Sequence, residues 1–396
     1  MSRKSIFLTI LVAVLLGMLV FWFKVPKAGA ITIRADGSVD GTDMIVSADN
    51  ITYTFIGNIS GFIVVERDNV VVDGAGYTLE GNPHVIPYTS GILALSGRTN
   101  VTVKNMDISG QFPHCIYVNS SYRIKICGNN LTAYYHGDGI MLSNTNESSI
   151  LGNNITENLW GITLFYSSNN TIGENTFLNN QLGLGLSYSS NNTVYHNNFL
   201  TNGEQVDLHD SSDNVWDDSY PSCGNYWSNY TGSDLNHDGI GDTTQEIDAN
   251  NIDRYPLMGE FHSYQTTHIS PSFVLTLVSN STVSSFDVGV SIEHPEKRII
   301  MFNVTGDTSS GFCRLCIPKN LMGTTFNVTI DNGETPVLLY NETIFDNGTH
   351  TWIYFAYTHS EHQIKIVPEF PSSAIITIFM TTTMLTAIKY KRRHST

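Results

Sequence analysis

The chain has 396 residues, room for two to three domains at about 150 residues each. Charged residues make up 14%, hydrophobic residues 41% and aromatic residues 11%, which excludes both a disordered chain and a polytopic membrane protein. Eight of the 20 Lys and Arg lie in the first thirty and last eight residues, so the 31–388 body sets the remaining 12 against all 36 acids. Such a body repels phosphate backbones, which excludes nucleic acid as a partner, and it suits divalent cations.

In chain order, Ser5 to Phe23 is an apolar run preceded by Arg3 and Lys4, and Lys24 to Ala30 ends in Ala28-Gly29-Ala30. Residues 1–30 read as a signal peptide or, given the length of the run, a signal anchor. Either one exports the body. Residues 31–60, with Ile33, Met44, Ile51 and Phe55 among turn residues, read as an N-terminal cap.

A repeat then governs the chain. Gly139, Gly161 and Gly183 are spaced by 22, and at the same offset Ile140, Ile162 and Leu184 align, as do Leu142, Leu164 and Leu186. So do Asn153, Asn175 and Asn197, and Asn158, Asn180 and Asn202. Earlier coils begin at Gly61, Gly91 and Cys115, and Gln205 to Trp216 closes the series, giving about seven coils over 61–218. Within a coil the apolar residues alternate, as Ile162 and Leu164 do, with the period of a strand. Short strands between Asn, Gly and Ser turns, repeated every 22 residues, predict an all-β chain built on a parallel β-helix. Inward side chains then stack on their equivalents, and corner asparagines bond along the axis as a ladder.

Residues 219–260 read as a C-terminal cap carrying an Asp-rich loop. Asp234, Asn236, Asp238 and Asp242 put oxygens at loop positions 1, 3, 5 and 9. The carbonyl of Ile240 stands at 7 and Gly239 at 6, a calcium pattern, although Gln245 replaces the Glu that an EF-hand has at 12. Residues 268–367 hold seven short alternating runs, from Phe273 to Val367, and predict a β-sandwich. Phe370 to Ile388 is apolar or hydroxylated and precedes Lys389, Lys391, Arg392 and Arg393; it reads as a transmembrane helix over 370–388 with a basic cytoplasmic tail over 389–396. Fifteen Asn-x-Ser/Thr sequons fit a glycosylated exterior, and five cysteines are too few for a disulfide framework.

The coils, with Ile33-Arg34-Ala35-Asp36-Gly37-Ser38 and Asp73-Gly74-Ala75-Gly76-Tyr77-Thr78-Leu79 before them and Gly224-Asn225-Tyr226-Trp227-Ser228 after, resemble the NosD-type right-handed β-helix proteins over about residues 31–258. Pro368-Glu369-Phe370-Pro371 resembles the sorting signals of archaeal surface proteins, and Gly311-Phe312-Cys313 looks like the domain such proteins carry between helix and anchor. The resemblance implies an extracytoplasmic, membrane-anchored surface protein with glycans or surface-layer proteins as partners. The NosD family is tied to periplasmic copper processing, and its domain to carbohydrate binding and sugar hydrolysis.

The side chains alternating with the inward ones on the first strand of each coil define a candidate face. Tyr117, Phe165, Tyr166 and Tyr188 offer flat apolar surfaces to a sugar beside Asn and Ser. Glycoside hydrolysis needs two carboxyls about 5–10 Å apart. Asp207 is the carboxylate expected on the face, with Asp138 and Asp210 expected at turns. The expectation is a non-enzymatic scaffold or glycan-binding protein. The alternative is a polysaccharide hydrolase or lyase using Asp207, Asp210 or Asp138, and a weaker one is a copper-processing factor, for which the histidines are too scattered.

Overall fold

The computed structural model describes residues 30–81, 93–290, 298–307 and 310–368. The expected signal segment at 1–30, the helix at 370–388 and the basic tail at 389–396 lie outside these residues, Ala30 excepted. Among the described residues no helix is long and apolar enough to cross a membrane. The described residues divide into two compact units, one made of those up to Thr171 with Asn175–Asn192 and Thr201–Ser211, the other of Ile172–Glu174, Thr193–Leu200 and the described residues from Ser212 on.

The first unit is a β-solenoid. Strands Phe62–Val65, Leu93–Ser96, His114–Asn119, Asp138–Ser143, Trp160–Phe165, Leu182–Ser187 and Glu204–His209 lie side by side in one parallel sheet, with Ala30–Ile33 at its start and the antiparallel Val39–Asp40 at its edge. A second sheet includes Val70–Asp73, Val101–Lys104, Lys125–Cys127 and Ser149–Leu151 among its eight strands, and a third, also of eight, includes Thr78–Glu80, Asp107–Ser109, Asn130–Thr132 and Asn154–Thr156. Among the described residues about six coils give a strand to all three sheets, one fewer than the repeat count predicts. The closing stretch from Gln205 accounts for the difference, because it contributes the single strand Glu204–His209 to the first sheet.

The register follows the sequence repeat. Ile140 pairs with Ile162 and Leu142 with Leu164, then Ile162 with Leu184 and Leu164 with Leu186. All six are buried, so each coil rests its aliphatic side chains on those of its neighbours, at about 1.5–3 kcal/mol per buried side chain. Close stacking also explains the glycine column: a Cβ on Gly161 would come within 2.5 Å of the Gly183 carbonyl oxygen and 2.9 Å of Phe177.

Polar residues inside the corners are satisfied along the axis. Asn158 Nδ2 donates to Asn180 Oδ1 at 2.9 Å and to the Leu131 carbonyl at 3.2 Å, while its Oδ1 accepts the Ala133 N–H at 2.6 Å. Asn129, Asn153 and Asn175 repeat this at a second corner. A third corner is hydroxylated: the backbone N–H groups of Thr145, Ser167 and Ser189 donate to the hydroxyls of Ser167, Ser189 and Ser211, each at 3.0 Å. Paired in this way, buried amides hold the coils in register instead of weakening the core.

In the second unit Asn197 donates to Asn225 at 2.9 Å, and Asn225 in turn donates its N–H to Asp253 at 2.8 Å. Phe199 stacks on Trp227 at 4.4 Å. Beyond lie two antiparallel sheets. One has five strands in the order Glu260–Gln265, Val274–Ser279, Ser310–Pro318, His350–Thr358, Leu339–Asp346; the other has four, in the order Thr282–Val290, Arg298–Thr305, His362–Pro368, Phe326–Ile330. Leu275, Leu315 and Phe355 from the first and Ile300, Phe302 and Ile364 from the second share one buried cluster.

Candidate functional site

The outward face of the first sheet is set by the same alternation that buries Ile140 and Leu142. Across successive strands, Tyr117, Met141, Thr163, Gly185 and Asp207 are register partners, as are Asn119, Ser143, Phe165, Ser187 and His209. One residue after the strands, the chain turns through the left-handed region: φ is 48° at Asn144, 49° at Tyr166, 52° at Tyr188 and 47° at Asp210. Asn and Asp adopt this conformation readily, whereas a Tyr there pays steric strain of roughly 1 kcal/mol.

Two of these turns carry aromatic rings at the solenoid surface. Tyr166 and Tyr188 stack at 4.8 Å and 6° from parallel, and both are exposed. Phe165 meets Tyr166 edge-on at 4.6 Å, and His209 meets Tyr188 edge-on at 5.1 Å with Nε2 3.1 Å from the Tyr188 hydroxyl. Three of the four aromatic residues singled out in the sequence therefore form one exposed platform. Tyr117 stands apart from it and stacks on His114 at 5.3 Å.

Asp207 and Asp210 are exposed, and Asp210 lies 3.5 Å from His209. Asp138, expected at a turn, is instead the first residue of strand Asp138–Ser143 and is buried. The irregular first step of the strand, where His114, Asp138 and Trp160 are register partners ahead of the regular alternation, puts it there. Its Oδ2 lies 3.1 Å from His114 Nδ1. Burial raises the Asp138 pKa, and the hydrogen bond and charge of His114 oppose that rise. Thr163 Oγ1 also favours the ionised carboxyl, yet the geometry closes no hydrogen bond and this buried hydroxyl is left without one. Reading the face from Cys115 and Gly139 missed His114, which the same offset would have found one residue earlier, next to Asp138 and Trp160.

In the second unit the Asp-rich loop is closed by its own backbone. Asp234 accepts the N–H groups of Asp238 at 3.0 Å and Gly239 at 2.9 Å, Asp242 accepts that of Leu235 at 2.7 Å, and Asp238 accepts that of Ile240 at 3.0 Å. Asn236 donates to Asp238 at 3.3 Å. Buried Arg314 donates to the Asp238 carbonyl at 2.7 Å. Among the described residues no three His, Cys, Asp or Glu side chains are gathered in a way that could hold a metal ion.

The stacked coils, the axial ladders and the polar outward face define a parallel β-helix repeat protein. The family model of the periplasmic copper-binding protein NosD matches residues 31–232, just over half of the sequence, and the chain belongs to this family. No curated protein matches it. Among solved structures it is similar to the phiAB6 tailspike in complex with oligosaccharides of Acinetobacter baumannii surface polysaccharide, at 8% identity and a TM-score of 0.26 over 77% of this chain and 73% of that one. The periplasmic alginate epimerase AlgG gives 13% identity and a TM-score of 0.23 over 42% and 68%. PfbA, a surface adhesin of Streptococcus pneumoniae, gives 11% and 0.20 over 57% and 78%.

Copper asks for clustered Cys, Met or His donors. Cys115, Cys223 and Cys313 are buried, and desolvation pushes each thiol up to about 12, away from the thiolate that a metal needs. His114 is held by Asp138, His196 by the Ser222 carbonyl and His362 by Asp331, in separate parts of the chain. Among the described residues, Cys and His side chains are not gathered into a copper centre.

Proposed function

We propose that this NosD-family protein is a membrane-anchored, extracytoplasmic surface protein whose β-helix is a rigid scaffold with a glycan-binding side. The observation that carries the reading is the exposed Tyr166–Tyr188 stack at strained corners where flanking coils use Asn144 and Asp210. Flat aromatic faces bind the apolar faces of sugar rings. The apolar 370–388 segment and its basic tail support the anchor. The two antiparallel sheets of 260–368 we read as the expected sandwich, and the Asp234–Asp242 loop as a calcium loop.

The test is retention on immobilised surface glycan. Tyr166→Ala and Tyr188→Ala should each elute ahead of the parent while melting with it. Retention that neither change alters would remove the reading. The alternative of a polysaccharide hydrolase draws on Asp138, whose raised pKa suits a general acid. Release of reducing sugar, abolished by Asp138→Asn, would favour it.

A further inference from the structure

The six strands that build the face from Leu93 to His209 read LALS, HCIYVN, DGIMLS, WGITLF, LGLGLS and EQVDLH, without a single Lys or Arg. Its charged groups are Asp138, Glu204 and Asp207, with Asp210 at the adjoining corner. Two strand spacings from the His114 strand, Trp160 is 43% exposed at the opposite end of its strand from Phe165. Five residues at roughly 3.3 Å each separate the two aromatic side chains by about 16 Å, and Thr163 and Gly185 lie between them as register partners on adjacent strands. The floor is thus low and the two edges are aromatic.

At the Trp160 edge the polar groups have unused capacity. His114 spends Nδ1 on Asp138 and keeps 19% of its side-chain surface exposed, while Thr163 is 5% exposed and its hydroxyl, itself buried, has no hydrogen-bond partner. A buried hydroxyl without a partner is unfavourable unless a ligand or water supplies one. A sugar hydroxyl both donates and accepts, so it matches this mixture of imidazole, carboxylate and hydroxyl.

We infer that His114, Asp138, Thr163 and Trp160 form a second saccharide subsite on the same face as the tyrosine stack, and that the face takes neutral glycan chains in preference to acidic ones. The inference rests on the glycan-binding reading and adds the ligand's charge class and its length. A chain that reaches both edges is longer than one ring. On these six strands an acidic polysaccharide meets carboxylates and neither Lys nor Arg, and repulsion disfavours it.

Calorimetry on the exported protein, with manno- and cello-oligosaccharides of two to six units and with oligogalacturonate, tests this. Affinity for the neutral chains should rise with length. Trp160→Ala and His114→Gln should each weaken six-unit binding about tenfold and two-unit binding less than twofold, and Trp160→Ala, at an exposed position, should leave melting unchanged. Tyr166→Ala should weaken both. Variants at 114 and 160 that bind six units as the parent does would overturn the subsite and leave the tyrosine stack standing. Oligogalacturonate bound as tightly as the neutral chains would overturn the charge class. A parent that binds no saccharide on a broad neutral and acidic array overturns this inference together with the reading beneath it.

Discussion

Asp253 Oδ2 accepts the backbone N–H of Asn225 at 2.8 Å, so a carboxylate ends a ladder that asparagine amides build. The same oxygen accepts Trp227 Nε1 at 2.9 Å, and Oδ1 accepts the Tyr255 N–H at 3.1 Å. A carboxylate accepts without needing to donate, which suits the last step of a ladder where every partner is a donor. Gly224 makes room for it, since a Cβ there would lie 1.9 Å from Asp253 Oδ1.

Burial pushes the Asp253 pKa up to about 7 despite those three donors. A carboxyl whose folded pKa is raised contributes stability that is fully present below its unfolded value near 4 and is lost as pH rises through 7. Asp253→Asn should remove this dependence. The difference in unfolding free energy, parent minus variant, should grow as pH falls from 7 to 4, with a slope of up to about 1.4 kcal/mol per pH unit. A difference that stays constant with pH would place the proton elsewhere. His196, pushed down to about 4 by burial, acts oppositely: its contribution is present above 6.5 and falls away toward 4. Only the difference between variants separates the two.

Leu164→Asp puts a carboxylate between Leu142 and Leu186 in a stack where Leu164 is fully buried. The loss should be several kcal/mol, or failure to fold, because no partner lies within the aliphatic column. Denaturant unfolding checks it, and a variant as stable as the parent would contradict the observed register.

Asn158→Leu should destabilise by about 2–4 kcal/mol even though it adds apolar volume. It strands the Ala133 N–H and the Leu131 and Thr156 carbonyls, all of which Asn158 now serves. The matching change at exposed Asn154 should be nearly silent, and urea midpoints for the pair measure the contrast.

Gly161→Ala tests close approach, not backbone freedom. The added methyl meets the Gly183 carbonyl oxygen at 2.5 Å, and backbone cannot swing aside as a side chain can, so a loss of about 1–3 kcal/mol is expected. Exposed Gly152→Ala supplies the other cause, because its φ is 62° with open space around the Cβ; the cost there should be about 1 kcal/mol.

If the Asp234–Asp242 loop takes calcium, chelation should lower the melting temperature by the linkage RT ln(1 + [L]/Kd), and Asp238→Ala should abolish the response. Titration of chelated protein with calcium that gives no heat would remove the ion. The loop would then stand on the backbone hydrogen bonds of Asp234, Asp238 and Asp242 alone.

The 22-residue period determined the stacking of Ile140 on Ile162 and of Asn158 on Asn180, because each coil must bury the same side of the same short strands against its neighbours. A translational repeat writes its contacts into the sequence at a fixed offset. The tyrosine column was legible for the same reason. The serine corner at Ser167 and Ser189 carried the same signal. What the period could not decide lies where a coil departs from it. The irregular first step of the strands turns Asp138 from an expected turn into the buried partner of His114, two residues 24 apart in the chain, and depends on how the backbone enters the sheet. The strain at Tyr166 and Tyr188 is likewise a backbone angle that no spacing reveals. Asp253 ends its ladder 28 residues after Asn225, off the period, because a cap must close the stack with donors and acceptors that the next coil no longer supplies, and only the folded chain brings them together.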